Sequence, residues 1–427
     1  MRIEFQSKTK KNLTRHPAKL VVYHDSHGYP VHIIANETYF APSEMGHKII
    51  REKNPQDYIS FNRTITGTWL QLHPIDFMFE PGLSEMPEHK HHTLSYFPEV
   101  LDAEKNRFID TVVLDTQKVE LHHSLALADL DPRESEYMLK ILNQDSRDAR
   151  THFQELHDIL GGPIPVMQPE LLYEHYHAAP VVVMEGCQHD CTDCAFYERG
   201  TYRKLGLDEI KEQIDLSAAF YGEEVDHINR ISLLHSDAFV QDADTLEQVL
   251  VYARERFTIK NDMNSDMKKS GFAYAFAHPK SILKIDFTDL ERLAPYLLGV
   301  NLGAESGDQE LVNSIEKNLD ITEVIEACEK LLDAGILPSA NIMLGLGGTI
   351  YQESHEQKSI ELIKQLPKGT HIYSPRLRII EGSRYESEQM REWGRLDNRQ
   401  ILQQAFNFKR AADIAGKEWS SYFIIPM

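Results

Sequence analysis

The most constraining feature of this sequence is a regular alternation of short apolar runs and amphipathic stretches in its second part. Short buried strands that alternate with helices are typical of a parallel sheet with helices on its outer face. The pattern therefore predicts an α/β fold, a TIM-barrel-like partial (βα)6 barrel whose chemistry would gather at the C-terminal ends of the strands. The six strand-like runs are 179–185, 230–235, 271–277, 298–304, 339–346 and 370–380, and the helical stretches are 207–221, 243–256, 287–296, 308–317, 322–334 and 352–365.

The first part of the chain lacks this alternation, and its pattern predicts a separate α+β domain. Residues 19–35 are expected to form two strands around a Gly-Tyr-Pro turn, and residues 107–123 to form a second hairpin. One helix is expected to begin near Pro132, and another to cover 147–160 before Gly161 and Gly162.

A chain of 427 residues is long enough for two domains. Three prolines and two glycines within residues 161–169 mark the best boundary. We predict an α+β N-terminal domain at 1–165 and the partial barrel at 166–400. Residues 401–427 are predicted to form a C-terminal helix and a tail that pack on the barrel.

The charge and hydropathy of the chain narrow its partners and its location. The formal net charge is −21, so general binding to nucleic acid is not expected, because such a surface repels phosphate. No window is long and apolar enough for a transmembrane helix, and no membrane partner is expected. The basic start lacks the apolar segment of a secretory signal, and we expect a cytoplasmic protein.

Three of the four cysteines, Cys187, Cys191 and Cys194, lie within eight residues directly after the first predicted barrel strand. In a reducing compartment such a cluster indicates metal ligands or a redox site rather than disulfides. Three thiolates suit a [4Fe–4S] cluster whose fourth iron stays open for a ligand from outside the protein. A zinc site would need a fourth ligand, for which His189 is a strained candidate. The fourth cysteine, Cys328, is expected to be a buried core thiol.

This C-x3-C-x2-C motif, placed after the first strand of a six-unit βα repeat, resembles the radical S-adenosylmethionine (radical SAM) superfamily. In that superfamily the amino and carboxyl groups of SAM chelate the open iron. The reduced cluster cleaves SAM to methionine and a 5′-deoxyadenosyl radical, which abstracts hydrogen from the substrate. The resemblance covers residues 178–400. It implies an oxygen-sensitive enzyme that uses an electron donor such as flavodoxin or ferredoxin and acts on a small organic substrate.

Two strand-end segments extend this resemblance. The Ser236-Asp237-Ala238 segment is similar to a DGDA-type sequence, so Ser236 and Asp237 are expected at the SAM amino group, although Asp237 also suits a helix N-cap. Residues 301–308, NLGAESGD, are similar to the G-x-E-S-G element of a subgroup that contains oxygen-independent coproporphyrinogen oxidase, the tRNA methylthiotransferases and the elongator catalytic subunit. This implies that Glu305 and Ser306 contact SAM. The alternative for Glu305 is an ion pair with a neighbouring Lys or Arg.

Further residues are assigned to SAM or substrate with alternatives left open. Gly345, in the 342–348 segment IMLGLGG, resembles the adenine-contacting part of the superfamily. The superfamily usually has an aromatic residue before the third cysteine. Because Asp193 stands there, Tyr197 or Phe196 is expected to contact the adenine instead.

His355 is expected either to face substrate or to lie on a solvated helix face. Arg376 and Arg378 share one face of the last strand and would either grip a carboxylate or form outward ion pairs.

Several functions are disfavoured, and two alternatives stay open. Auxiliary clusters are not expected because only one cysteine remains. The D-x-H-x-x segment at 25–29 is followed by Pro30 instead of the glycine of cobalamin-binding loops, and the histidine-rich segments 88–92 and 121–123 are not expected to hold a second metal. The alternatives are an RNA-modifying radical SAM enzyme and a non-catalytic iron–sulfur or zinc protein.

Overall fold

The computed structural model describes the strands and the helix given below within the first 161 residues, and then a larger part of the chain. That part comprises residues 178–194, 202–222, 225, 228–234, 236–259, 271–377, 379 and 383–421. The backbone contacts divide the chain into two compact units. The first contains residues 1–156 and 172–176, and the second contains residues 157–171 and 177–427. The domain boundary at 165/166 remains a prediction.

The N-terminal unit contains an antiparallel sheet of eight strands in which each strand pairs with the next along the chain. The expected hairpin at 19–35 is present, because β2 and β3 pair antiparallel. The expected hairpin at 107–123, the helix near Pro132 and the two histidine-rich segments lie outside the described residues. The strands are β1 (Arg2–Gln6), β2 (Lys19–His24), β3 (Pro30–Ala35), β4 (Thr38–Ala41), β5 (Lys48–Arg51), β6 (Ile59–Arg63), β7 (Trp69–Pro74) and β8 (Tyr96–Val100), and helix α1 (Ser146–Leu160) follows them.

The second unit is built on a sheet of seven parallel strands whose spatial order follows the chain. This order means that every crossover advances by one position in the same direction, as in a barrel that has not closed. The partial α/β barrel expected from the sequence is therefore confirmed. Its strands are β9 (Ala178–Val182), β12 (Arg230–Leu234), β13 (Ala273–Ala277), β14 (Leu297–Glu305), β15 (Leu337–Ile342), β16 (His371–Tyr373) and β17 (Trp419–Ser420), and a small antiparallel pair, β10 (Met184–Glu185) and β11 (Arg203–Lys204), lies after β9.

The helices of this unit match the predicted positions closely. Helix α7, for example, buries Val324, Ala327, Cys328 and Leu331, a stripe with helical spacing, so Cys328 is the core thiol that the sequence predicts. The helices are α2 (Leu207–Tyr221), α3 (Ala243–Arg256), α4 (Pro279–Lys284), α5 (Phe287–Leu293), α6 (Gln309–Ser314), α7 (Ile321–Asp333), α8 (Gly348–Gln365), α9 (Met390–Trp393) and α10 (Asn398–Ile414), and a π-helical segment covers Tyr385–Gln389.

The two faces of the barrel sheet differ in chemistry because side chains alternate along each strand. On β14, Val300, Leu302 and Ala304 are fully buried and alternate with residues on the opposite face. The opposite face, which is the interior of the barrel, carries a row of aligned residues on four neighbouring strands. This row contains Phe276, Asn301, Ser339 and His371. The interior is therefore partly polar, unlike the filled apolar interior of a closed barrel.

Three features differ from the sequence prediction. The structure adds a seventh strand, β17, in the tail, where only two residues pair and no strand pattern can be read. It also adds α4, which has six residues and is too short to show helical periodicity. The predicted last strand at 370–380 is regular only over β16, although an isolated bridge between Leu344 and Arg376 continues the pairing. Among the described residues, none of the helices is long and apolar enough to cross a membrane.

The packing of α10 against α8 generates a stability prediction. The Phe408 ring is fully buried and lies edge-on to the His355 ring, with 5.8 Å between the ring centroids. Phe408→Ala should lower the free energy of unfolding by about 3–5 kcal/mol, because it removes buried apolar surface and leaves a cavity. The matched control on the same helix is Ile414→Ala, because Ile414 is 72% exposed, and it should change stability by less than about 0.5 kcal/mol. Urea denaturation measures both, and equal losses would contradict the described packing.

Candidate functional site

The sequence-predicted site residues gather at the C-terminal edge of the barrel sheet. The cysteines follow β9 and β10, Ser236 and Asp237 follow β12, and Glu305 ends β14. Because the carboxyl ends of parallel strands meet at one edge, residues that are far apart in sequence become neighbours there. We call this edge, with the loops that leave it, the barrel mouth.

The cysteine loop, residues 187–194, leaves the short strand β10 through Gly186. Gly186 has φ +65°, a left-handed conformation that glycine adopts without steric cost. The four cysteines are thiols rather than disulfides, and the three in this loop are half-buried. The backbone N–H of His189 donates to Cys187 Sγ at 3.4 Å. The loop thus presents thiols together with an amide donor, the combination that stabilises thiolate ligands of iron–sulfur clusters.

Thr192 fixes the second half of the cysteine loop. Its N–H donates to the carbonyl of Ile315 at 3.0 Å, and its hydroxyl donates to Gln389 Oε1 at 2.6 Å. The Gln389 amide in turn donates to the carbonyl of Ser314 at 2.6 Å, and the N–H of Tyr385 donates to the carbonyl of Thr192 at 3.2 Å. The loop is therefore held by the end of α6 and by the π-helical segment. The sequence carries no local sign of this arrangement, because the Thr192–Gln389 bond joins residues 197 positions apart.

A buried cluster of charges connects the cysteine loop with the end of β14. Lys317 Nζ donates to Glu305 Oε1 at 2.7 Å, and both side chains are nearly inaccessible to solvent. Burial alone would lower the pKa of Lys317, but the charges of Glu305, Cys191 and Asp193 outweigh it and raise that pKa. Asp193 is buried as well, and its pKa is raised by burial and by the Glu305 carboxylate, while Lys317 opposes the rise.

The local backbone of β14 makes room for this ion pair. A Cβ atom on Gly303 would lie 2.6 Å from Glu305 Oε1 and 2.8 Å from Lys317 Nζ, so a larger residue there would force this ion pair to shift. Glu305 itself has φ +62°, which is costly for a residue with a side chain. The glycine in the G-x-E-S-G element therefore serves the ion pair of Glu305. The alternative expectation for Glu305, pairing with a neighbouring cation, is confirmed.

The donor set of the cysteine loop fits an iron–sulfur cluster. Among the described residues, no three His, Cys, Asp or Glu side chains are already gathered around one metal position. Burial raises the pKa of the Cys191 thiol to about 12, although Lys317 lowers it. Such thiols lose their protons to the metal, and a metal site is rarely preformed before the metal binds. Three thiols on one anchored loop, with an amide N–H that donates to one sulfur, are thus suitable ligands.

Asp237 is the N-cap of a short 3-10 helix, Ala238–Val240, as the alternative expectation proposed. Its Oδ1 accepts from the N–H of Phe239 at 3.1 Å, and its Oδ2 accepts from the Ser281 hydroxyl at 2.5 Å. Burial raises the pKa of Asp237 to about 6, because these bonds only partly offset desolvation. The neighbouring Ser236 hydroxyl lies 3.9 Å from the Met184 sulfur. Both residues stand at the barrel mouth beside the cysteine loop.

Ser306 connects the end of β14 to α8 through His355. The carbonyl of Met343 can only accept, so His355 Nε2, at 2.9 Å, carries the ring proton and donates to it. His355 Nδ1 then accepts from the Ser306 hydroxyl at 2.7 Å, and Ser306 Oγ accepts from the N–H of Asp308 at 2.9 Å. Of the two expectations for His355, the solvated face is wrong, because the ring is fully buried, and both ring nitrogens bond to protein groups rather than being open to a substrate. Helical spacing alone does not show which face of α8 meets the sheet.

The remaining predicted site residues have different surroundings. Gly345 has φ +83°, and its N–H donates to Gln404 Oε1 at 2.8 Å, which joins the glycine-rich loop to α10. Arg376 donates from Nη2 to Asn398 Oδ1 at 2.5 Å at the start of α10. Arg378, Phe196 and Tyr197 lie outside the described residues.

Two histidine rings stack at the barrel mouth, a contact that was not predicted from the sequence. The rings of His189, in the cysteine loop, and His278, directly after β13, have centroids 4.2 Å apart and an interplanar angle of 23°. His278 is buried. A polar residue directly after a strand was the available sequence signal, but β13 carries no motif that drew attention to it.

Comparison with family models identifies one domain of the chain. Residues 181–356 match the family model described as the radical SAM superfamily. The chain thus contains a radical SAM domain. Radical SAM domains are catalytic domains that use a [4Fe–4S] cluster and SAM, so the match supports both cofactors for this chain. No curated protein sequence matches this radical SAM chain.

Solved structures of radical SAM proteins resemble the chain distantly. A radical SAM methyltransferase from Sphaerobacter thermophilus is 15% identical, with 58% of this chain and 66% of that chain covered and a TM-score of 0.42. Coproporphyrinogen III oxidase from Escherichia coli is 11% identical, with 55% and 53% covered and a TM-score of 0.41. Elp3 from Methanocaldococcus infernus is 15% identical, with 58% and 56% covered and a TM-score of 0.39. This chain thus spans between about half and two thirds of their lengths, and likeness at this distance indicates no substrate.

The buried charge cluster predicts a large effect of removing its cation. Lys317→Met leaves the carboxylates of Glu305 and Asp193 buried without a positive partner, and it should lower the free energy of unfolding by about 3–5 kcal/mol. Lys280→Met is the control, because the Lys280–Glu323 pair is more exposed and 3.7 Å apart, and it should cost at most about 1 kcal/mol. Chemical denaturation compares the two variants, and a loss for Lys317→Met no larger than that of the control would contradict the role of the pair.

His355 predicts a pH dependence of stability. Burial lowers its pKa to about 4, whereas the unfolded chain has the ordinary value of 6.5. Between these values the imidazole is protonated in the unfolded chain but neutral in the folded protein. The free energy of unfolding therefore falls as the pH drops from 6.5 towards 4. The loss should reach about 3 kcal/mol for this one group. His355→Gln removes the titrating group, so the stability difference between wild type and variant should narrow over this window. Parallel curves in pH-dependent urea unfolding would contradict the assignment.

Proposed function

We propose that Cys187, Cys191 and Cys194 hold the [4Fe–4S] cluster of a radical SAM enzyme that acts on a small organic substrate. The observation that carries this proposal is the position of the three thiols within a matched radical SAM segment, on a loop held by Thr192 at the end of the first barrel strand. When bound, such a cluster supplies the electron that cleaves SAM and so generates the 5′-deoxyadenosyl radical.

In this proposal the residues of the barrel mouth bind and orient SAM. Asp237 offers a fixed carboxylate, held by Ser281 and by the N–H of Phe239, to which the SAM ammonium group can donate, with Ser236 beside it. Glu305 contributes a carboxylate whose direction is set by Lys317. Gly345 would let the adenine approach the backbone closely.

The other predicted contacts take more indirect roles in this proposal. Ser306 acts as a positioning residue. Its hydroxyl donates a hydrogen bond to His355, and this bond fixes the turn that carries Glu305. Arg376 is proposed to meet an anionic group at the end of the last strand, and Tyr197 to lie near the adenine. The proposed cellular setting is the cytoplasm, with flavodoxin or ferredoxin as electron donor.

The polar interior of the barrel supports a small polar substrate. Asn301 and Asn341 are buried on the interior face of neighbouring strands, and Asn341 pairs in register with Gly303, two residues beyond Asn301. Asn301 Nδ2 and Asn341 Oδ1 have no hydrogen-bond partner in the part of the chain that the structure describes. Buried amides without partners are uncommon in folded proteins, so a ligand with hydrogen-bonding groups suits this interior. The strongly acidic chain disfavours the alternative of an RNA substrate.

The proposal predicts a specific loss of function on removing one thiol. After anaerobic reconstitution with iron and sulfide, the wild type should release 5′-deoxyadenosine from SAM in the presence of dithionite. Cys191→Ala should release none, because two thiolates cannot hold the cluster in the same way.

The matched control is Cys328→Ala, because Cys328 is a buried thiol of α7 outside the cysteine loop. It should keep the wild-type iron content and the wild-type rate of SAM cleavage. A wild-type protein that holds four irons yet leaves SAM intact would contradict the enzymatic proposal and favour a non-catalytic iron–sulfur protein. Zinc in place of iron and sulfide would contradict the cluster assignment.

A further inference from the structure

The stacked imidazoles of His189 and His278 face the interior of the barrel mouth. His278 continues the extended backbone of β13, so its side chain falls on the same face as Tyr274 and Phe276. Phe276 is aligned with Asn301 on the interior row. The partner ring, His189, belongs to the cysteine loop. The pair therefore lies between the proposed cluster loop and the interior of the barrel.

The hydrogen bonding of His278 fixes the position of its ring proton. The backbone N–H of Lys280 donates to His278 Nδ1 at 3.2 Å, so Nδ1 is an acceptor and carries no proton. Burial, together with the charges of Lys317, His189, Lys280 and Lys284, lowers the pKa of His278 to about 2, so the ring is neutral near pH 7. In the neutral ring, Nε2 must therefore carry the hydrogen and act as a donor.

This donor has nothing to bond to in the described structure. His278 is only 5% exposed, and neither its Nε2 nor the buried Nε2 of His189 has a hydrogen-bond partner among the described residues. An unmatched buried N–H is costly, and native proteins rarely keep one without a ligand or water that satisfies it. A ring nitrogen that carries a proton cannot ligate a metal, so His278 Nε2 calls for a hydrogen-bond acceptor.

The local field favours a negatively charged acceptor. Lys317, Lys280 and Lys284 all act on both imidazoles in the same direction. An anionic oxygen gains from this field and from the N–H at once, whereas a neutral acceptor gains only the hydrogen bond. The matching chemical group on a small molecule is a carboxylate.

We propose that His278, supported by the stacked ring of His189, is a binding subsite for a carboxylate of the ligand that fills the barrel mouth. This carboxylate belongs either to SAM or to an organic-acid substrate. The assignment of a SAM-containing ligand rests on the proposed function, whereas the subsite itself rests on the geometry of His278.

Two substitutions test the roles of the two ring nitrogens of His278 separately. His278→Asn keeps a side-chain acceptor near the position of Nδ1, which preserves the bond from Lys280 N–H, but removes the donor at Nε2. His278→Gln places an amide donor near the position of Nε2 but loses the acceptor for Lys280. A purely structural histidine would be replaced better by Asn than by Gln in every measurement, since only the bond at Nδ1 would matter.

Binding is measured on the cluster-loaded protein under anaerobic conditions, with iron content checked for each variant. The dissociation constants of SAM and decarboxylated SAM are measured by equilibrium dialysis. The stabilisation by sodium acetate is measured by thermal unfolding, with and without SAM, against sodium chloride at equal ionic strength.

The subsite predicts one of two supporting results. If the carboxylate belongs to SAM, His278→Asn should weaken SAM binding roughly tenfold, His278→Gln should keep it within a few fold, and decarboxylated SAM should bind all three proteins alike. If it belongs to the substrate, SAM binding should be equal in all three. Acetate should then stabilise the wild type and His278→Gln, but not His278→Asn, with SAM bound.

The inference is overturned if neither SAM affinity nor the acetate effect distinguishes His278→Asn from the other two proteins. It is also overturned if His278→Gln loses the effect while His278→Asn keeps it, since that result assigns only the structural bond at Nδ1. Failure of the proposed function looks different, because an iron-loaded wild type would then not bind SAM. In that case, thermal stabilisation of the three proteins by acetate in the absence of SAM would still test whether His278 binds a carboxylate.

Discussion

The ion pair between Lys317 and Glu305 is the interaction on which the barrel mouth depends. A single buried ammonium group neutralises the carboxylate that ends β14 and acts on Asp193 in the cysteine loop. Buried charges persist only when they are paired, so this cation allows two acidic groups to stay beside the proposed cluster ligands. The pair also explains Asp193, which stands where the superfamily usually has an aromatic residue. In this chain the residue at that position interacts electrostatically with Glu305 and Lys317.

The neighbouring elements hold this network in place through side chains that are themselves bonded. Thr192 anchors the cysteine loop to the end of α6 and to the π-helical segment, and Ser306 and His355 anchor the turn after β14 to α8. Gly307 adds a close backbone approach, since a Cβ there would lie 2.2 Å from the carbonyl oxygen of Lys358. These bonds fix the backbone around the cysteine loop and the end of β14, so only the thiols themselves have to reorient when a cluster binds.

Some polar groups at the mouth and in the interior stand apart from this bonded framework. His278 Nε2, Asn301 Nδ2 and Asn341 Oδ1 are buried and have no partner among the described residues. Their positions run from the cysteine loop down the interior face of β13, β14 and β15. The framework groups therefore fix the shape of the site, and these groups supply its capacity to recognise a ligand.

The amino-acid pattern alone predicts the parallel α/β barrel, nearly all of its helices, and a cysteine motif that resembles the radical SAM superfamily. Alternating apolar runs and a short spaced motif involve residues that are close in sequence, so they can be read from the sequence alone. It could not decide that Glu305 pairs with Lys317, that His355 is buried, or that β17 adds a seventh strand. Nor could it bring His189 and His278 into contact. Each of these joins residues from different loops or strands, and only the packing of the strand ends at one edge determines which of them meet.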